Sequence, residues 1–317
     1  VAKSGKKKRQ QLFDLLARNL SQLDPTQHDC VVCPLCLTVF GRDALEAEQP
    51  VLTLAHVVPN ALGGTACTLT CAACNNGNGH TLEAILVEQF EDEDWAAGMG
   101  RKSGRMAGEF GDVGVEVETP GDGSGTSIYL IGPQSDRRVI AVLQEIAKNS
   151  PQNGFPPFSL IFGGRSADRP CLVKNALLQS AYLAMFRQFG YDFVCHPHFR
   201  NLREQIRNPR EAIWDTRIWI LEEASVCDLL ADQRQAVMFL SDPRAIFVLL
   251  RLRTRTGRQR IIGVGLPGLD DPAVPDVSSQ FGGTVFLYDP QALTQTGEFL
   301  RDCWDWNARN GDFSSPN

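Results

Sequence analysis

The sequence predicts an α+β protein in two parts: a small N-terminal module framed by cysteines, then a larger α+β domain with a mostly antiparallel sheet. Three observations lead there. Cys33-Pro34-Leu35-Cys36 and Cys71-Ala72-Ala73-Cys74 form paired C-x-x-C knuckles, and four thiolates satisfy a tetrahedral zinc ion. Apolar residues recur at helical spacing over 10–23 and again, most strongly, over 172–189. From residue 213 onward, short apolar runs follow one another between turn residues, as in an antiparallel sheet.

Composition sets the bounds. With 317 residues, 43% hydrophobic and 21% charged, the chain has the make-up of a soluble globular protein able to bury a sizeable core in two domains. No apolar run reaches the roughly 20 residues that span a bilayer, so no membrane partner is expected. The N-terminus lacks the apolar core of a signal peptide, and a cytoplasmic location is the expectation. Val1 reads as the product of initiator-methionine removal or as the start of a fragment. Ten cysteines then read as reduced thiols and metal ligands. The net charge of −6 argues against indiscriminate nucleic-acid binding, yet the charge is uneven. Lys3, Lys6, Lys7, Lys8 and Arg9 form a basic arm, whereas Glu88, Glu91, Asp92, Glu93 and Asp94 form an acidic cluster. The arm reads as a solubilising tail or as a local phosphate-binding surface.

The elements follow in order. The amphipathic helix over 10–23 carries Leu12, Phe13, Leu15, Leu16, Leu20 and Leu23 on its apolar side. The first knuckle occupies 30–36. A strand over 51–58 ends at Pro59, a loop over 60–64 follows, and a very short strand covers 68–70. A helix starts near Cys71 and runs on past Gly77 and Gly79 to residue 89. Residues 96–111 hold five glycines and three cations and read as a flexible basic domain boundary, either a solvated linker or a loop gripping a phosphate backbone. A hairpin is expected over 113–131, helices over 137–148, 172–189 and 202–206, and strands over 158–162, 213–221, 236–240, 245–252, 259–264 and 284–288. A helix over 293–306 closes the chain. The domains expected are thus 1–27, a basic arm and helix; 28–95, the zinc module; 96–111, a basic linker; and 112–317, an α+β recognition or regulatory domain.

Cys33, Cys36, Cys71 and Cys74 are the expected zinc ligands. Four sulfurs leave no vacancy for water, so the site should stabilise rather than catalyse. Cys30 also makes a C-x-x-C with Cys33. Pro34-Leu35 suits a tight knuckle turn, which favours the Cys33/Cys36 pair, while His28 and Cys67 remain spare candidates. Cys171, Cys195, Cys227 and Cys303 read as core residues.

Between the knuckles lies Ala55-His56-Val57-Val58-Pro59-Asn60-Ala61-Leu62-Gly63-Gly64, and Asn75-Asn76 directly follow the last cysteine. In this order, over about residues 28–90, the sequence resembles HNH endonucleases of the ββα-metal type. The resemblance implies two strands and a helix clamping one divalent ion, with a histidine on the first strand activating water to cut a phosphodiester bond. It makes His56 the general base, Asn75 a ligand of a catalytic Mg²⁺ or Mn²⁺, and His80 a second ligand or phosphate contact, with Asn76 as a substitute. It implies DNA as substrate ahead of RNA, in a bacterial or phage setting such as restriction or defence. The chemistry agrees: an imidazole is poised for proton transfer near neutral pH, and an amide oxygen suits a hard cation. Two positions depart from the pattern. Ala55 stands where many relatives carry an acidic metal ligand, and Thr68 or a backbone carbonyl stands in for the middle asparagine. A degenerate, non-catalytic binding scaffold and a nuclease switched on through the C-terminal domain are the alternative readings.

The basic segment adds Arg101, Lys102 and Arg105 as candidate nucleic-acid contacts. Further on, Arg200, Arg203 and Arg207 form a helical stripe, and Arg251, Arg253, Arg255, Arg258 and Arg260 a denser cluster; each reads as a solvated face or a phosphate contact. The aromatic residues of 182–191 read as packing. Cys195-His196-Pro197-His198 reads as a non-site, since the proline turns the histidines apart.

Overall fold

The computed structural model describes residues 2–46, 51–108, 112–122, 124–131, 137–149, 158–162, 167–221, 230, 234–241 and 244–267. The expected strand over 284–288, the closing helix over 293–306, Cys227 and Cys303 lie outside the described residues. The fold is mixed α+β with antiparallel sheets and an N-terminal cysteine cluster. Among the described residues no helix is long and apolar enough to cross a membrane.

The chain divides into two compact units. One unit takes residues 1–87, 170–253 and 259–317; the other takes 88–169 with 254–258.

The first unit begins with helix α1 (Ala2–Leu23). The basic arm is therefore the first turns of a helix rather than a loose tail. Phe13, Leu16, Ala17 and Leu20 are buried and pack α1 on the small strands that follow. Strands β1 (Cys30–Val32) and β2 (Val39–Gly41) pair antiparallel around the first knuckle. Strands β3 (Leu52–His56) and β4 (Ala66–Cys71) form a second antiparallel pair, from Leu52 opposite Cys71 to His56 opposite Ala66. Helix α2 (Ala72–Asn78) leaves directly from β4, widens into a π-turn over Gly79–Glu83, and continues as α3 (Ala84–Ala96), inside which the unit boundary falls.

The same unit resumes with helix α5 (Arg169–Phe189), whose residues 175–186 are all buried. A helix buried on every side needs apolar or small residues all round, which is why its aromatic residues are packing. Short helices α6 (Tyr191–Val194) and α7 (Arg200–Arg207) follow. Strands β9 (Arg217–Leu221), β10 (Gln235–Ser241), β11 (Arg244–Arg253) and β12 (Gln259–Pro267) make an antiparallel sheet in the order β10-β11-β12-β9. The apolar runs read from the sequence are these strands.

The second unit is an antiparallel sheet in the order β7-β6-β5-β8 with helix α4 (Arg137–Asn149). Its strands are β5 (Arg101–Gly108), β6 (Val113–Glu118), β7 (Ser127–Leu130) and β8 (Phe158–Ile161). The segment expected as a linker is thus a central strand. Its glycines misled the reading: Gly104 lies against Phe162 and the Ile161 carbonyl, where a Cβ would fall within 2.9 Å of both, so it serves close packing and not flexibility. Met106, Val113, Val115 and Val117 meet Val139 and Val142 of α4 in a separate core.

Candidate functional site

Strand β4 delivers Cys71 and helix α2 delivers Cys74 back towards the first knuckle. All four Sγ atoms of Cys33, Cys36, Cys71 and Cys74 lie within 4.8 Å of one another, and Cys36 Sγ stands 3.7 Å from Cys71 Sγ. Four sulfurs bonded to a tetrahedral ion at about 2.3 Å are about 3.8 Å apart, which the Cys36–Cys71 edge matches. It is too wide for a disulfide, whose S–S bond is about 2.05 Å. The Cys71 and Cys74 backbone N–H groups each donate to a cluster sulfur, Cys33 Sγ and Cys71 Sγ, at 3.4 Å. Such bonds favour thiolate. Hydrogen bonds from Cys33, Cys71 and Cys74 pull the Cys36 thiol far below its ordinary range, while the same crowding, Cys33 first, pushes Cys74 up. The group can hold a structural metal ion such as zinc. Cys30 is not part of it and bonds Gln27 Oε1 instead; Cys67 and His28 are also outside it.

The knuckle turn closes through Leu37 N–H to Cys33 O (2.9 Å) and Cys33 N–H to Thr38 O (2.9 Å). Two buried tyrosines then tie it to the middle of the chain. Tyr191 Oη accepts from Val32 N–H and donates to Val32 O, both at 2.8 Å, and Tyr182 Oη donates to Pro34 O at 3.2 Å. The sequence offered no signal for these bonds beyond the burial expected of the aromatic residues.

His56 ends β3, half-buried, at a register shift between Ala55 and His56. Burial, with the positive charge of Lys8 second, holds its imidazole below the usual range. The loop after it explains Gly63-Gly64. Gly63 has φ +85°, and a Cβ on Gly64 would sit 1.6 Å from Val58 O, so the chain can turn back tightly only with glycine there. Arg234 Nη1 donates to Gly63 O.

Asn75 stands on α2 with its Nδ2 donating to Leu54 O at 3.4 Å, two residues before His56. A carbonyl accepts only from the amide nitrogen, so Oδ1 takes no part in that bond. Ala55 is 2% exposed. Thr68 faces Ala55 across the strands, whereas His56 faces Ala66; Thr68 is not in the register position that would steady the imidazole. His80 is exposed within the π-turn. Glu83, at the end of that turn, is half-buried, and desolvation raises its carboxyl pKa. The extra residue of a π-turn shifts the helix repeat. Within it Glu83 is partly buried, while His80 is on the exposed side.

The basic segment behaves differently from a loop. Alternation along β5 sends Arg101 and Arg105 to one face and Lys102 to the other. Arg101 pairs with Glu116 and Glu118 and stands 3.7 Å over the Tyr129 ring. Lys102 reaches the buried Asp92 at 2.9 Å, which also receives Arg169 at 3.2 Å. Arg105 pairs with Asp112. Arg255 and Arg258 pair with Glu91 and Asp94, and Asp94 also accepts from Thr254 and Thr256. Arg203 is buried and donates to Val194 O, and Arg207 pairs with Glu204. Much of the basic clustering in the sequence is thus taken up by carboxylates of the chain itself.

No family model, curated protein or solved structure matches this chain.

Proposed function

We propose that this protein is a metal-dependent endonuclease of the HNH, ββα-metal kind, hydrolysing phosphodiester bonds in DNA, with zinc in the four-cysteine group. The observation that carries the reading is the Asn75 bond to Leu54 O. It ties a metal-capable amide on the helix to the strand that ends in His56; the helix starts from Cys71, which pairs with Leu52 at the start of that strand. The zinc is structural, since four sulfurs fill its coordination.

His56, neutral at working pH, takes a proton from water. The resulting hydroxide attacks phosphorus as the bond to the leaving ester oxygen breaks, and that oxygen takes up a proton from solvent. Asn75 Oδ1 is the protein atom fit to hold a catalytic Mg²⁺ or Mn²⁺. Such an ion keeps most of its waters and leans on substrate phosphate, which accommodates the loss of a carboxylate at Ala55. When bound, it polarises the phosphate and stabilises the leaving oxygen. A positioned base contributes about 10²–10⁴-fold, so His56→Ala should lower cutting by that order.

Supercoiled plasmid incubated with Mg²⁺, Mn²⁺ or Ni²⁺ tests the reading. Nicking that falls sharply in His56→Ala and Asn75→Ala, with the fold intact by circular dichroism, supports it. DNA binding without cutting in any of the three metals would instead favour a degenerate scaffold, the reading to which the buried Ala55 points.

A further inference from the structure

We propose that the cations on the first turns of α1 — Lys6, Lys7, Lys8 and Arg9 — form the DNA-backbone contact of this protein, beside the strand end that carries His56. This rests on the nuclease reading for its substrate, but its observations are separate.

The first observation is order. The arm is not a tail: it lies within helix Ala2–Leu23, which packs against β3 and β4. The buried stripe Phe13, Leu16 and Leu20 continues towards the N-terminus at the same spacing as Arg9 and Lys6. One helix face therefore turns from apolar to basic where burial ends.

The second is availability. Lys6, Lys7 and Lys8 are exposed, and among the described residues none of the four cations has an ion-pair partner. Arg101, Lys102, Arg105, Arg255 and Arg258, also singled out by sequence, have carboxylate partners, whereas Arg200, Arg251 and Arg253 lie on other elements, away from the helix that packs on β3. Phosphate has little to gain from a cation already paired.

The third is the unfavourable placement of the charges. Four cations on consecutive residues repel one another, and no acidic residue in the first turn offsets them. A polyanion laid across them would relieve that repulsion. Lys8 is also near enough to influence the His56 imidazole, which places the patch beside the proposed chemistry.

Nucleic acid suits the patch better than a lipid surface. A helix lying on a membrane needs large apolar residues on its buried face, and residues 3–11 contain none.

The test uses the full chain and a fluorescent DNA duplex, without added divalent ion, followed by anisotropy across salt concentrations. Replacing Lys6, Lys7, Lys8 and Arg9 together by Gln should weaken binding at least tenfold. It should also flatten the plot of log K against log salt by roughly 0.9 for each phosphate that is no longer neutralised. Lys174→Gln, which removes a cation from α5 paired with Asp215, should change neither. If the fourfold variant loses helicity, single Lys7→Gln and Lys8→Gln variants carry the comparison, each lowering the slope. Wild-type affinity and slope in these variants overturn the proposal. So does a wild-type protein that ignores duplex DNA, or one that binds phosphatidylserine vesicles instead. Binding that depends on these cations, but without cutting in any metal, would leave the contact standing and remove the nuclease reading.

Discussion

Leu37 holds a backbone conformation that glycine adopts freely. Its φ is +61°, and its N–H closes the first knuckle. A left-handed conformation costs an L-residue about 1–2 kcal/mol. Leu37→Gly should therefore raise stability by about 1 kcal/mol in urea unfolding, and Leu37→Val should lower it, because β-branching stiffens the side chain further. Glu83 is a second residue out of balance. Burial lifts its carboxyl above the usual 4.5, so the fold favours the protonated form. Its contribution is favourable below that value and is lost as pH rises through the folded pKa. Glu83→Gln should raise the melting temperature near neutral pH, with the gain vanishing in acid. For His56 the shift is downward from 6.5, through burial first and Lys8 second. A base works unprotonated, so the acid limb of a rate–pH profile should lie below 6.5, and Lys8→Gln should move it up.

At the scale of elements, β1 shows how a three-residue strand survives. Its backbone bonds to β2 on one side, while on the other Val32 bonds the hydroxyl of Tyr191, whose own N–H is held by Asn19 Oδ1 at 2.8 Å. Tyr191→Phe removes one oxygen and strands two buried backbone groups, each costing about 1–3 kcal/mol. A loss of roughly 2–6 kcal/mol in denaturant unfolding is expected, whereas Tyr182→Phe, which strands one backbone carbonyl, that of Pro34, should lose less. Alternation in β5 decides the fate of Lys102 in the same way, by placing it on the core side with Asp92.

At the scale of the molecule, the cysteine cluster belongs to a unit that also contains α5, α6 and the β10-β11-β12-β9 sheet. A metal in such a cluster contributes about 10–16 kcal/mol in small zinc modules, comparable with the whole stability of a typical domain. Stripping the metal with a chelator should speed hydrogen exchange in β1 to β4. It should also do so in α5 and α6, because the tyrosine bonds to Val32 and Pro34 are then broken. The β5–β8 sheet has its own core and should stay protected. Fast exchange confined to residues before α5 would contradict this.

The sequence by itself determined the four-cysteine group that can hold a metal, the buried helix α5 and most of the strands. Those depend on local spacing: two residues between thiols, about 3.6 per helical turn, alternation along strands. It also pointed to His56 and Asn75, which lie close to the knuckles in the chain. The tertiary structure alone decided which cations are paired, that residues 101–108 are a central strand, and that Tyr191 completes β1. It also decided that one compact unit is assembled from distant segments. Each of these turns on a partner supplied by another element, as with Tyr191 and Val32 or Lys102 and Asp92, and no local pattern encodes where such a partner will be.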